Sequence, residues 1–95
     1  MKTRARIVGH GEDGTPVING DLIFEMMDSH GLPVEFASDV LRRHGLAFDV
    51  AGFVRAALAS GNFRSDRIRR AFIDTSAPMP LVDATICRVV SEEPR

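Results

Sequence analysis

Glycines at positions 31, 45 and 61 each follow a run with helical periodicity, and this spacing restricts the chain to short helices packed against one another. Ile23, Met26, Met27 and His30 fall at i, i+3, i+4 and i+7, one stripe of a 3.6-residue period, with Asn19 or Asp21 available as cap and Gly31 as a left-handed stop. Pro33 stands where a second helix begins, a position that tolerates its missing N–H. Ala37, Val40, Leu41 and His44 repeat the stripe, Asp39 can pair with Arg42 or Arg43, and Gly45 closes the helix. A third helix is expected after Asp49, whose carboxylate can accept first-turn N–H groups, running through Phe53, Val54, Ala57 and Leu58 to Ser60-Gly61-Asn62. A fourth is expected over residues 65–73, capped by Ser65, with Ile68, Ala71 and Phe72 inward and Arg64, Arg67, Arg69 and Arg70 outward.

The two ends read differently. Residues 2–8 alternate basic with small or apolar groups, as a half-exposed strand does, and residues 10–16 are rich in turn formers. Residues 76–80 hold two prolines and read as an extended connector, and residues 81–90 are β-branched enough to read as a strand. The expected fold class is therefore α+β, mainly α: four short helices with a two-stranded antiparallel sheet formed by the N- and C-terminal strands. Ninety-five residues fit one small domain, residues 1–95, with a thin core.

Composition narrows the chemistry. An apolar fraction of 44% with 26% charged residues is that of a folded globular chain. A single cysteine cannot close an internal disulfide, and no Cys/His cluster has metal-ligand spacing, so neither a metal nor another cofactor is expected. Cys87, inside the apolar segment, is expected to be buried and inert. His30 and His44 each precede a helix-ending glycine, where an imidazole complements the helix dipole; His10 has no partner at ligand spacing. No serine sits in a nucleophile elbow, and residues 9–14, though glycine-dense, lack the Lys-Ser/Thr of a phosphate loop. With no apolar run of membrane-spanning length and no secretory leader, the expected compartment is the cytoplasm.

Net charge is −1, but its distribution is not even. Residues 12–49 carry −6, whereas residues 50–73 carry +4. On a helix, Arg67 and Arg70 are neighbours with Arg64 one turn back, a small basic face able to grip phosphates. On composition alone the same face reads first as a solvated surface paired with Asp66, Asp74 or the acidic stretch. Trp and Tyr are absent, and no stacking aromatic lies between the four arginines.

The order of pieces from Ile18 to Leu58 adds a further signal. Asn19-Gly-Asp-Leu-Ile-Phe24, Met27-Asp-Ser-His-Gly-Leu-Pro33, Asp39, His44-Gly-Leu46, Asp49-Val-Ala-Gly-Phe53 and Ala57 together resemble a segment of alanyl-tRNA synthetases. Leu32 stands where that family has Phe before the proline, and His30 where it commonly has Tyr. The resemblance implies that residues 18–58 correspond to a helical segment that follows the synthetase's catalytic core and belongs to the region recognising the tRNA acceptor stem; it is also catalogued as an anticodon-binding domain. Asp28 matches the motif aspartate. It either accepts a hydrogen bond from an exocyclic base amine or organises the Gly31-Leu32-Pro33 turn. The synthetase's class II motifs and its editing-domain zinc motifs have no counterpart in this sequence, so no enzymatic activity is expected of this chain alone.

Two functions are then in play. One is a non-catalytic module that binds tRNA or another structured RNA through Arg64, Arg67, Arg69, Arg70 and Asp28. The other is a protein-interaction or assembly domain, in which the terminal strands pair with a partner or a second copy.

Overall fold

In a computed structural model that describes residues 3–73, 75 and 77–92, eight elements follow one another. They are β1 (Ile7–His10), β2 (Pro16–Ile18), α1 (Gly20–His30), α2 (Val34–Arg43), β3 (Ala47–Phe48), α3 (Val50–Ala59), α4 (Ser65–Ala71) and α5 (Met79–Glu92). Lys2 of the expected first strand, Asp74 as an arginine partner and Ser76 of the expected connector lie outside the described residues. The α+β class is as expected, but there are five helices rather than four, and the sheet differs. It has three strands in the order β1-β2-β3. β1 pairs with β2 antiparallel, and β2 pairs with β3 parallel through Val17 with Ala47 and Ile18 with Phe48.

The three glycines act as read. Gly31, Gly45 and Gly61 have φ of 66°, 71° and 78°, the left-handed conformation that other residues resist. The helix starts are built differently. Asn19, Asp49 and Ser65 make no side-chain cap; the position preceding α4 is Arg64, and α4 ends at Ala71. Asp21 does serve the first turn of α1, accepting from the Leu22 N–H at 3.0 Å. Asn19, 2% exposed, is a tie instead. Its Oδ1 accepts from the Arg6 N–H at 2.8 Å, and its Nδ2 donates to the Arg4 carbonyl at 3.0 Å and to Asp21 Oδ1 at 2.6 Å. These bonds fasten the segment before β1 to the start of α1, so the expected strand over residues 2–8 is displaced to Ile7–His10.

The segment 81–90 is helix, not strand, and among the described residues no sheet joins the two ends of the chain. Val82, Ile86 and Val89 are buried at i, i+4 and i+7, a helical stripe that packs on α3 and α4. Burying that stripe outweighs the modest strand preference of β-branched residues. Pro80 falls in the first turn, where a missing N–H costs nothing, and the Pro78 carbonyl accepts from Leu81 and Val82. Helix thus begins inside the expected connector. Cys87 points away from the buried stripe and is exposed rather than buried.

The core gathers Phe53, Phe72, Ile68, Val54, Val82 and Val89, all fully buried. Phe53 meets Phe24 edge-on at 5.7 Å and Phe72 at 5.2 Å, and Phe48 stacks on Phe72 at 6.1 Å. α1 and α3 cross through two glycines: a Cβ on Gly20 would overlap the Asp49 carbonyl oxygen and the Phe53 nitrogen, and Gly52 faces the Asp49 carboxylate. Both glycines lie within the motif pieces noted above, and close backbone approach is the physical reason for them. Among the described residues, no helix is long and apolar enough to cross a membrane.

Candidate nucleic-acid interface

Three elements build one basic depression. α1 contributes Met27 and Asp28 from its last turns, the connection after α3 contributes Phe63, and α4 contributes Arg67, Arg70 and Ala71. The volume is about 330 Å³. α4 is held by Ile68 and Phe72, buried at i and i+4, so its other faces turn to solvent with the arginines. A second, adjoining hollow of about 310 Å³ is lined by Asn62, Arg64, Asp66, Arg67 and Arg70. Arg67 and Arg70 are common to both.

The polar groups here are mostly uncommitted. Among the described residues, the side chains of Asp28, Arg64 and Arg70 make no ion pair, and the ion pairs that form elsewhere are Arg42 and Arg43 with Asp39, Arg55 with Glu92, and Arg69 with Asp83. Arg67 makes one long hydrogen bond, 3.4 Å, to the Asn62 carbonyl. Its guanidinium carbon lies 4.2 Å from the centre of the Phe63 ring.

Of the five residues singled out from sequence, Asp28, Arg67 and Arg70 meet in one depression, and Arg64 lies in the adjoining one. Arg69 is set apart, its Nε donating to Asp83 Oδ1 of α5 at 2.7 Å. Asp28 is exposed and does not bond the Gly31-Leu32-Pro33 turn; the Gly31 N–H goes to the Met27 carbonyl and the Leu32 N–H to that of Met26. Sequence reasoning passed over Phe63. Its i, i+4 spacing to Arg67 was the available signal, hidden because Phe63 precedes the helix instead of lying between the arginines.

A larger hollow of about 680 Å³ runs along α2, lined by Leu32, Phe36, Glu35, Asp39 and Arg42 among others. Size does not make it the site, because Asp39 already holds Arg42 at 2.8 Å and Arg43 at 3.0 Å. An apolar pocket of about 280 Å³ between α1 and α2 offers no polar group at all to orient a ligand. No group of three or more His, Cys, Asp or Glu side chains among the described residues is placed to hold a metal ion.

Comparison with known proteins converges on one family. The alanine-tRNA ligase of Methylococcus capsulatus is 40% identical in an alignment of 70 positions that covers 66% of this chain and 8% of that enzyme. The alanine-tRNA ligases of Polaromonas naphthalenivorans and Delftia acidovorans are each 39% identical, over 58% and 57% of this chain and 7% of theirs. No family model matches the chain, and no solved structure matches it. This chain therefore spans less than a tenth of the length of these relatives, and over much of its own length it is similar to a short segment of alanine-tRNA ligases.

Proposed function

We propose that this chain is a non-catalytic module that binds tRNA or another structured RNA through the face formed by Asp28, Arg64, Arg67 and Arg70, with Arg69 at its margin. The observation that carries the reading is the meeting of Asp28 with Arg67 and Arg70 in one depression, although Asp28 and Arg67 stand 39 positions apart in the chain. Three arginines without carboxylate partners among the described residues offer charge to phosphates, and an ionised carboxylate beside them accepts from the exocyclic amine of a base. Similarity to a segment of enzymes named for tRNA supports RNA as the polyanion. Catalysis is left out of the proposal because the match covers so small a part of those enzymes.

The test is fluorescence anisotropy of labelled tRNA over a salt series. With three arginines on phosphates, the logarithm of the association constant should fall with that of salt at a slope of roughly −2 to −3. The double variant R67E/R70E should abolish most of the affinity. No detectable binding at low salt, or binding unchanged in that variant, would overturn the reading.

An assembly function has one observation in its favour. Ile7 and Val8 of the edge strand β1 are 56% and 46% exposed. The C-terminal half of that idea has gone, since residues 79–92 are helix. Sedimentation across a wide concentration range tests the remainder, and a strict monomer counts against self-association.

A further inference from the structure

Phe63 is held from one side: the Phe24 ring meets it edge-on at 5.3 Å and an interplanar angle of 80°. The Arg67 guanidinium lies over it, 4.2 Å from the ring centre. A guanidinium lying on an aromatic ring is fixed in orientation and still presents its second flat face, and both aromatic rings and guanidinium planes are surfaces on which nucleobases stack. Met27 and Ala71 add apolar wall to the same hollow, while Arg70, and Arg64 beyond it, supply cationic groups with no ion-pair partner among the described residues. A flat ring, an anion and a hydrogen-bond donor in one ligand match the Arg67 and Phe63 pair, the arginines and Asp28 respectively. An acidic peptide supplies the anion but not the ring.

From this we infer that the depression takes an unpaired nucleotide, with its base stacked on the Arg67–Phe63 pair and its flanking phosphates on Arg70 and Arg64. A base inside a duplex already has both faces stacked, so the ligand class is RNA with a bulged, looped or single-stranded nucleotide. The inference rests on the RNA-binding reading above and adds to it the kind of site on the RNA that is bound.

Three hairpin RNAs of otherwise identical sequence, each closed by a non-nucleotide linker in place of a loop, separate the two. One is fully paired, one carries a single adenine bulge, and one carries an abasic bulge that has the same kink but no base. Anisotropy with the whole chain should show the adenine bulge bound at least about fivefold more tightly than the abasic one. F63L should reduce that ratio to near one. R67K, which keeps the charge but loses the planar face, should also lower that ratio to near one without touching the core. Equal, measurable affinity of the wild-type chain for the adenine and abasic bulges overturns this inference and leaves RNA binding standing. Retention of the adenine preference in both variants overturns the assignment to Phe63 and Arg67. Failure of all three hairpins to bind at low salt overturns the RNA reading itself, and this inference with it.

Discussion

Replacing Gly20 by alanine tests the packing of the fold more sharply than any large-to-small change. The added methyl would overlap the Asp49 carbonyl oxygen and the Phe53 nitrogen, and would also press on the Gly52 carbonyl carbon. All three are backbone atoms, so no rotamer change relieves the overlap. The methyl also falls on the first hydrogen bond of α3, from the Phe53 N–H to the Asp49 carbonyl at 3.1 Å. Relief requires α1 and α3 to part, which loosens the Phe24–Phe53 contact at 5.7 Å. Overpacking of a tight core costs about 1–3 kcal/mol, and a lost hydrogen bond adds about 1 kcal/mol. The propensity gain of alanine over glycine is at most ~1 kcal/mol and is small in a first helical turn. The net expectation is a loss of about 3 kcal/mol, against a total of about 5–14 kcal/mol for a domain of this length. G9A is the matched control: Gly9 has no positive φ and its Cβ would meet nothing within 4 Å. Urea unfolding followed by circular dichroism at 222 nm measures both. A G20A midpoint within experimental error of G9A and wild type, at equal denaturant sensitivity, would refute the claim that close backbone approach holds α1 against α3.

Other consequences are as direct. F72A should cost about 3–5 kcal/mol in the same unfolding assay, because Phe72 is 1% exposed and its ring meets both Phe53 and Phe48. The Thr15 hydroxyl and then its N–H, bonded to Asp13, hold the Asp13 carboxyl below the ordinary aspartate range. Because the folded value is depressed, the associated stability is present above the unfolded value and is lost as pH falls through the folded one. An NMR titration should show the Asp13 midpoint rising in T15V. Cys87 should react with Ellman's reagent in the native state without unfolding, since it is exposed on α5; protection until denaturation would contradict the helix orientation. R69E should weaken tRNA binding less than R70E does, because Arg69 is engaged with Asp83; equal effects would show that the bridge opens on the RNA.

Helices α1, α2 and α3 were legible because their determinants are local: an apolar stripe, a proline at the start and a glycine that alone accepts left-handed backbone at the end. The four outward arginines followed from the same periodicity, since Ile68 and Phe72 had to face in. The resemblance to a segment of alanine-tRNA ligases was likewise a property of ordered residues along the chain, and the comparisons found it. Strands of three and two residues were not legible. β3 is a strand only because the chain returns after two helices to pair Ala47 with Val17 and Phe48 with Ile18, a contact no local pattern encodes.

Residues 81–90 show the same division from the other side. Their β-branched composition favours strand and their i, i+4, i+7 stripe fits a helix. A partner surface on α3 and α4 settles the choice, because burial of Val82, Ile86 and Val89 outweighs a preference of less than about 1 kcal/mol per residue. The candidate interface is also a tertiary product. From sequence alone, this chain determined where α1, α2 and α3 begin and end, which faces they bury and that its positive charge collects near residues 64–70. Only the folded packing decided that Arg69 turns to Asp83 while Arg67 lies on Phe63 and shares a hollow with Asp28 and Arg70. Side-chain partners depend on which helices cross, and that is set by a core assembled from every part of the chain at once.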